Sequence, residues 1–127
     1  MKIEHIAIWV SNLEISRKFY EKYFEMHSND KYENRSKQFT SYFMSHKDGA
    51  RIELMHHPEL KPILSENKQI GLAHLAFSTG SKECVDMLTE RLRTDGYTIQ
   101  GEPRLTGDGY YESIILDPDG NWIEITE

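Results

Sequence analysis

Two stretches of the 127-residue chain begin an apolar, strand-like run with a histidine: HIAIWV from His5 and HLAFST from His74. Two others share the pattern D-G-x-x-I-E and end on Glu53 and Glu124. The histidines are 69 residues apart and the glutamates 71. Two neutral imidazoles and two carboxylates suit a divalent first-row ion such as Zn, Ni, Co, Fe or Mn, with water filling the remaining positions. Taken singly, a histidine at a strand start is usually a hydrogen-bonded, half-buried residue, and a glutamate at a strand end is usually solvated. The same residue types recurring in the same phase point to a metal site.

Side chains alternate between the two faces of a strand, so parity assigns each residue a side. His5, Ala7 and Trp9 point together, as do His74, Ala76 and Ser78. In the hairpin strands the matching sets are Arg51, Glu53 and Met55, and Trp122, Glu124 and Thr126. The opposite faces carry Ile6 and Ile8, Leu75 and Phe77, Ile52 and Leu54, and Ile123 and Ile125, which belong under helices. A face holding two imidazoles, two carboxylates and two alanines makes a poor core, because buried ionisable groups are costly unless paired or metal-bound. It makes a good cavity wall.

The elements needed to position these faces recur twice. Residues 2–10 alternate as a strand, and Ser11 to Glu14 has the S-x-x-E form of a capping box that starts a helix striped by Ile15, Phe19, Tyr23 and Met26. Strands follow near 27–33, 38–46 and 50–56, with Asp48-Gly49 turning between the last two. The second half repeats this as a strand over 70–78 and a helix over 81–94 with Val85, Leu88 and Leu92, stopped by Asp95-Gly96. Strands near 97–103, 109–117 and 121–126 complete it, with a turn at Pro118-Asp119-Gly120. The expected architecture is α+β: tandem βαβββ modules over 1–57 and 70–127, joined by a linker over 58–69, in one domain whose curled mixed sheet surrounds a metal-binding cavity.

Composition narrows the remaining classes. Hydrophobic content of 38%, charged content of 28% and a mean hydropathy of −0.65 describe a globular chain. A net charge of −6 argues against a nucleic-acid partner, and the longest apolar run, Ile6 to Val10, is far shorter than a bilayer span. Lone Cys84 excludes an internal disulfide framework and fits a reducing, cytoplasmic compartment; its expected role is packing rather than nucleophilic chemistry. His56 reads as a surface residue, His57 as an outside candidate for the pocket rim, and His27 and His46 as bystanders.

With these residues in hand, the whole chain resembles the vicinal oxygen chelate superfamily, which includes glyoxalase I, extradiol dioxygenases, methylmalonyl-CoA epimerases and fosfomycin and bleomycin resistance proteins. D-P-D-G-N-x-I-E at 117–124 is a frequent signature there. The order His5, Glu53, His74, Glu124 is most similar to the glyoxalase I quartet; the resistance enzymes and dioxygenases typically show a His, His, Glu triad and the epimerases a Gln at the second position. The resemblance implies a lyase or isomerase acting on a small molecule, a 2-oxoaldehyde thiol adduct or related α-hydroxycarbonyl compound. It also implies a divalent ion, commonly nickel or zinc, held by His5, Glu53, His74 and Glu124. Glu124 would be ligand and general base, with Glu53 its mirror candidate.

Glutathione-using members commonly carry a basic residue where this chain has Trp9, so a thiol co-substrate such as glutathione rests on the inward cation Arg51. Trp9, Met55 and Trp122 would give the substrate pocket an apolar lining. The resemblance further implies a homodimer in which His5 and Glu53 of one subunit face His74 and Glu124 of the other. Two rivals differ in class: a metal-free binding or resistance protein holding an aromatic or antibiotic ligand between Trp9 and Trp122, and a thiol transferase acting on an epoxide, which calls for His where Glu53 stands.

Overall fold

The structure, a computed structural model, describes residues 1–62 and 70–127; the part of the expected linker over 63–69 lies outside the described residues. The chain divides into two compact units, Met1–Leu64 and Ser65–Glu127. Among the described residues, each contains its own mixed sheet and one helix, giving an α+β architecture of two sheets, neither closed on itself. None of the helices among the described residues is long and apolar enough to cross a membrane.

In the first unit, β1 (His5–Trp9) leads into α1 (Leu13–Phe24), followed by β2 (His27–Ser28), β3 (Tyr32–Asn34), β4 (Phe39–Ser45) and β5 (Arg51–His56). The sheet order is β1-β5-β4-β2, with β1 parallel to β5 and β3 also paired to β4. The strand expected over 27–33 is thus broken in two. Asn29 causes the break: its Oδ1 accepts from the Phe43 backbone N–H at 2.8 Å, and its own N–H donates to the Phe43 carbonyl at 3.1 Å. The pairing register steps by one residue across this point, as at a β-bulge.

The capping box is also displaced. The helix cap is Asn12, whose Oδ1 accepts from the backbone N–H groups of Glu14 and Ile15 at 3.1 Å each. Glu14 turns outward instead of back, accepting from Arg17 at 3.1 Å, Tyr42 at 3.0 Å and Lys31 at 3.3 Å. The buried face of α1 is Leu13, Ser16, Phe19, Tyr20, Tyr23 and Phe24, while Ile15 is 53% exposed. Repeated steps of four drift round a helix of 3.6 residues per turn by about 40° each, which carries Ile15 off the buried stripe.

The second unit runs β6 (Leu75–Ser78), α2 (Lys82–Thr94), β7 (Ile99–Leu105), β8 (Tyr111–Leu116) and β9 (Trp122–Thr126), in sheet order β6-β9-β8-β7 with β6 parallel to β9. β6 is shorter than the 70–78 strand expected, because pairing with β9 begins only at Leu75. Ser81 caps α2 by accepting from the Cys84 N–H at 3.2 Å. The buried face of α2 is Val85, Thr89 and Leu92, with Leu88 half-buried. Thr89 is tolerated there because its hydroxyl donates to the Val85 carbonyl at 2.7 Å and shares a 2.6 Å hydrogen bond with Ser113 of β8.

Ile52, Leu54, Ile123 and Ile125 are buried beneath the helices as parity requires, with Ile6, Ile8, Leu75 and Phe77 half-buried. The D-P-D-G-N segment is a hairpin device. Asp117 Oδ1 accepts from the backbone N–H groups of Asp119 and Asn121, and Oδ2 from the Asn121 side chain, each at 2.9 Å. Gly120 takes a φ of 83°, a conformation that favours glycine. The turn thereby fixes the β8–β9 register and the face on which Glu124 lies.

The cap assignment is testable by thermal unfolding. Asn12→Ala should destabilise the protein by about 1 kcal/mol, with a clearly smaller loss for Ser11→Ala; the reverse order would return the cap to Ser11.

Candidate metal and substrate half-sites

In the first unit, register sets His5 opposite Arg51, Ala7 opposite Glu53 and Trp9 opposite Met55, and Phe43 of β4 stands beside Glu53. His5 Nε2 lies 3.9 Å from Glu53 Oε2. The small side chain of Ala7 leaves this diagonal approach open. The His5 ring meets Phe43 edge-on, at 5.2 Å between centroids and 85° between planes. Arg51 lies over the same Phe43 ring at 4.2 Å and pairs with Glu4, whose carboxylate also accepts from His5 Nδ1. The hydrogen bond with His5 and the adjacent Arg51 guanidinium hold the Glu4 carboxyl below the usual range, outweighing the opposing effect of desolvation.

The second unit builds a matching pair. His74, one residue ahead of β6, places Nε2 3.4 Å from Glu124 Oε2, and Ala76 stands opposite Glu124. The environments agree closely: the histidine side chains are 39% and 40% exposed and the glutamates 15% and 16%. Ile114 occupies the place that Phe43 has in the first unit. Glu112, two residues before Ile114 on the same strand, lies against Glu124. Burial raises the Glu112 carboxyl above the ordinary range; the Glu124 charge and a hydrogen bond with it add to this, and Arg104 opposes it. Arg104 Nη2 reaches Glu112 Oε1 at 3.3 Å. Gly101 makes room for that approach: a Cβ there would stand 3.1 Å from Arg104 Nη1.

The four donor-type residues are therefore brought together as two pairs, His5 with Glu53 and His74 with Glu124. Among the described residues, no group of three or more His, Cys, Asp or Glu side chains is arranged to hold a metal ion. Each pair offers one imidazole nitrogen and one carboxylate, a donor set that fits a borderline divalent ion. Of the expected pocket residues, Trp9 is 52% exposed on the His5 face, Trp122 is 38% exposed on the Glu124 face, and Met55 is half-buried beside Trp9. Arg51 is on the expected face, but its charge is already engaged by Glu4.

His56 is more than a surface residue: its Nδ1 makes a 3.0 Å hydrogen bond with the Val10 carbonyl, tying β5 to the end of β1. His57 Nδ1 accepts from the Glu59 N–H at 3.1 Å. Sequence reasoning missed Glu4, Phe43, Arg104 and Glu112. For Glu112 a signal existed, since it stands two residues from Ile114, the partner of Glu124, and so shares the face of the strand that looks toward Glu124.

Residues 2–125 match the family described as the Glyoxalase/Bleomycin resistance protein/Dioxygenase superfamily. An uncharacterized Bacillus subtilis (strain 168) protein, YqjT, is 31% identical over 128 residues, covering 97% of this chain and 96% of its own length. Among solved structures, a possible glyoxalase from Bacillus cereus is 27% identical with a TM-score of 0.72, covering 100% of this chain and 99% of its own. Glyoxalase I from Zea mays is 22% identical with a TM-score of 0.79 over 98% of this chain; the present chain spans only 44% of that protein. The trypanothione-dependent glyoxalase I of Leishmania major is 22% identical with a TM-score of 0.78, over 100% of this chain and 86% of its own. A match over nearly the whole chain, on a fold these structures share, means that the chain belongs to the Glyoxalase/Bleomycin resistance protein/Dioxygenase superfamily.

Proposed function

We propose that the protein is a metal-dependent lyase or isomerase of glyoxalase I type, acting on a 2-oxoaldehyde thiol adduct or a related α-hydroxycarbonyl compound. The observation that carries this reading is the duplicated His–Glu pair, with Nε2–Oε2 separations of 3.9 and 3.4 Å and near-equal exposure in the two units. His5, Glu53, His74 and Glu124 are the donors assigned to a divalent ion, nickel or zinc in the leading form of the proposal. Such an ion, when bound, polarises adjacent substrate oxygens as a Lewis acid and acidifies the neighbouring C–H.

The remaining work belongs to the chain. A Glu124 carboxylate oxygen takes the proton from one substrate carbon and returns it to the next, so no net proton is gained or lost. Glu53 holds the equivalent place in the first unit and is the alternative base. Trp9, Met55 and Trp122 offer apolar surface to the thiol-derived part of the substrate. Glutathione is one such thiol. A metal-free ligand-binding protein is the second reading, favoured by the exposure of Trp9 and Trp122.

Metal analysis of protein purified without chelator and reloaded with nickel or zinc separates the two. Near-stoichiometric metal that disappears in His74→Ala, with turnover of 2-oxoaldehyde in the presence of a thiol, is the expected outcome. Absence of metal under every loading condition, with aromatic ligands quenching tryptophan fluorescence, would establish the binding protein instead.

Within the enzyme reading, Glu124→Gln should keep much of the metal and lose at least 100-fold in kcat, about the contribution of a general base; undiminished turnover assigns the proton transfer to Glu53. A homodimer is part of the same proposal. Size-exclusion chromatography with light scattering should return twice the 14.9 kDa chain mass, and a strictly monomeric mass removes the dimer while leaving the donor assignment intact.

A further inference from the structure

Although the donors repeat, the groups behind them do not, and the difference is concentrated around His5. Its Nδ1 faces the Glu4 carboxylate, its ring edge meets Phe43, and its Nε2 faces Glu53. Glu4 is itself held on two sides. Its carboxylate pairs with Arg51, and its backbone carbonyl accepts from the Arg51 N–H at 3.1 Å, extending the parallel β1–β5 pairing one step past the strand. Arg51 closes the circle by lying on the Phe43 ring. Three side chains, Glu4 ahead of β1, Phe43 of β4 and Arg51 of β5, therefore brace one another around a single imidazole.

Among the described residues, these contacts do not recur behind His74. The preceding residue is Ala73, Phe43 is replaced by Ile114, and the strand position of Arg51 is held by Trp122. The repeat keeps the imidazole but not these three neighbours.

We propose that Glu4 is a positioning residue that locks His5 in the Nδ1–H tautomer and aims Nε2 at Glu53, making the first half-site a preformed ligand pair. An ionised carboxylate accepts but does not donate, so the hydrogen bond puts the proton of a neutral imidazole on Nδ1 and leaves the Nε2 lone pair for a ligand. A carboxylate behind a metal-binding histidine fixes both ring orientation and tautomer in this way. The inference rests on the donor assignment above in naming the metal as that ligand.

Long-range proton–nitrogen NMR of the metal-free protein, at a pH where the ring is neutral, reads the tautomer directly. In the wild type, His5 should show a protonated Nδ1 and a pyridine-like Nε2. Glu4→Ala should move it toward the Nε2–H form, Glu4→Gln should restore the wild-type pattern through its amide oxygen, and His74 should be unaffected by either. Chelator competition with zinc should then show affinity weakened about 10- to 100-fold in Glu4→Ala, with recovery in Glu4→Gln. A His5 tautomer indifferent to Glu4→Ala overturns the proposal, as does a changed tautomer with undiminished zinc affinity. If the wild type binds no zinc, the metal reading fails by itself, and the NMR comparison still decides whether Glu4 sets the state of His5.

Discussion

The register of two parallel strand pairs, β1 with β5 and β6 with β9, is the constraint on which the candidate chemistry depends. Because side chains alternate, a slip of one residue in either pair would exchange the apolar face for the one carrying histidine and glutamate. The apolar side prevents that slip: Ile52, Leu54, Ile123 and Ile125 are buried, and turning any of them outward would put Arg51, Glu53, Trp122 or Glu124 into the core. Burial on one face thus fixes the chemistry on the other, with no donor residue needing to stabilise the sheet.

Regular pairing alone does not bring the supporting groups into place. Phe43 sits where Asn29 interrupts the strand beside it and clamps the Phe43 backbone on both its N–H and its carbonyl. Arg104 lies beyond a register shift in β7, on an irregular strand that also contains Gly101 and Pro103. Bulges re-aim side chains that a straight ladder would send elsewhere. In both units an irregular part of the sheet places a group near the donor pair, Phe43 against His5 in the first and Arg104 against Glu112 in the second.

This distinction explains what could be read from the chain beforehand. The donors were legible because a duplicated unit with period-2 strands repeats its types and phases, as His5 with His74 and Glu53 with Glu124 show. Helix positions and the Asp95-Gly96 stop were legible for similar reasons of local patterning. Asn12, Thr89 and the split at Asn29 were not, because each depends on a polar side chain finding a particular backbone or hydroxyl partner. Glu4 is the clearest case: strand parity sends it to the face opposite His5, but it precedes the first strand residue, where parity no longer constrains the side chain.

A repeated unit would be expected to treat its two copies alike, yet only the donors and their exposure match. The first pair is braced by a carboxylate, a guanidinium and an aromatic ring, whereas the second has a further carboxylate, Glu112, pressed against its glutamate. A brace restricts the motion of the imidazole it holds, whereas burial and the neighbouring Glu124 charge raise the proton affinity of Glu112. The two neighbourhoods act in opposite senses, one holding a side chain in place and the other crowding it with like charge. The repeat therefore fixes which side chains face one another and how far they are exposed, while the neighbours that hold or crowd them are set separately in each copy.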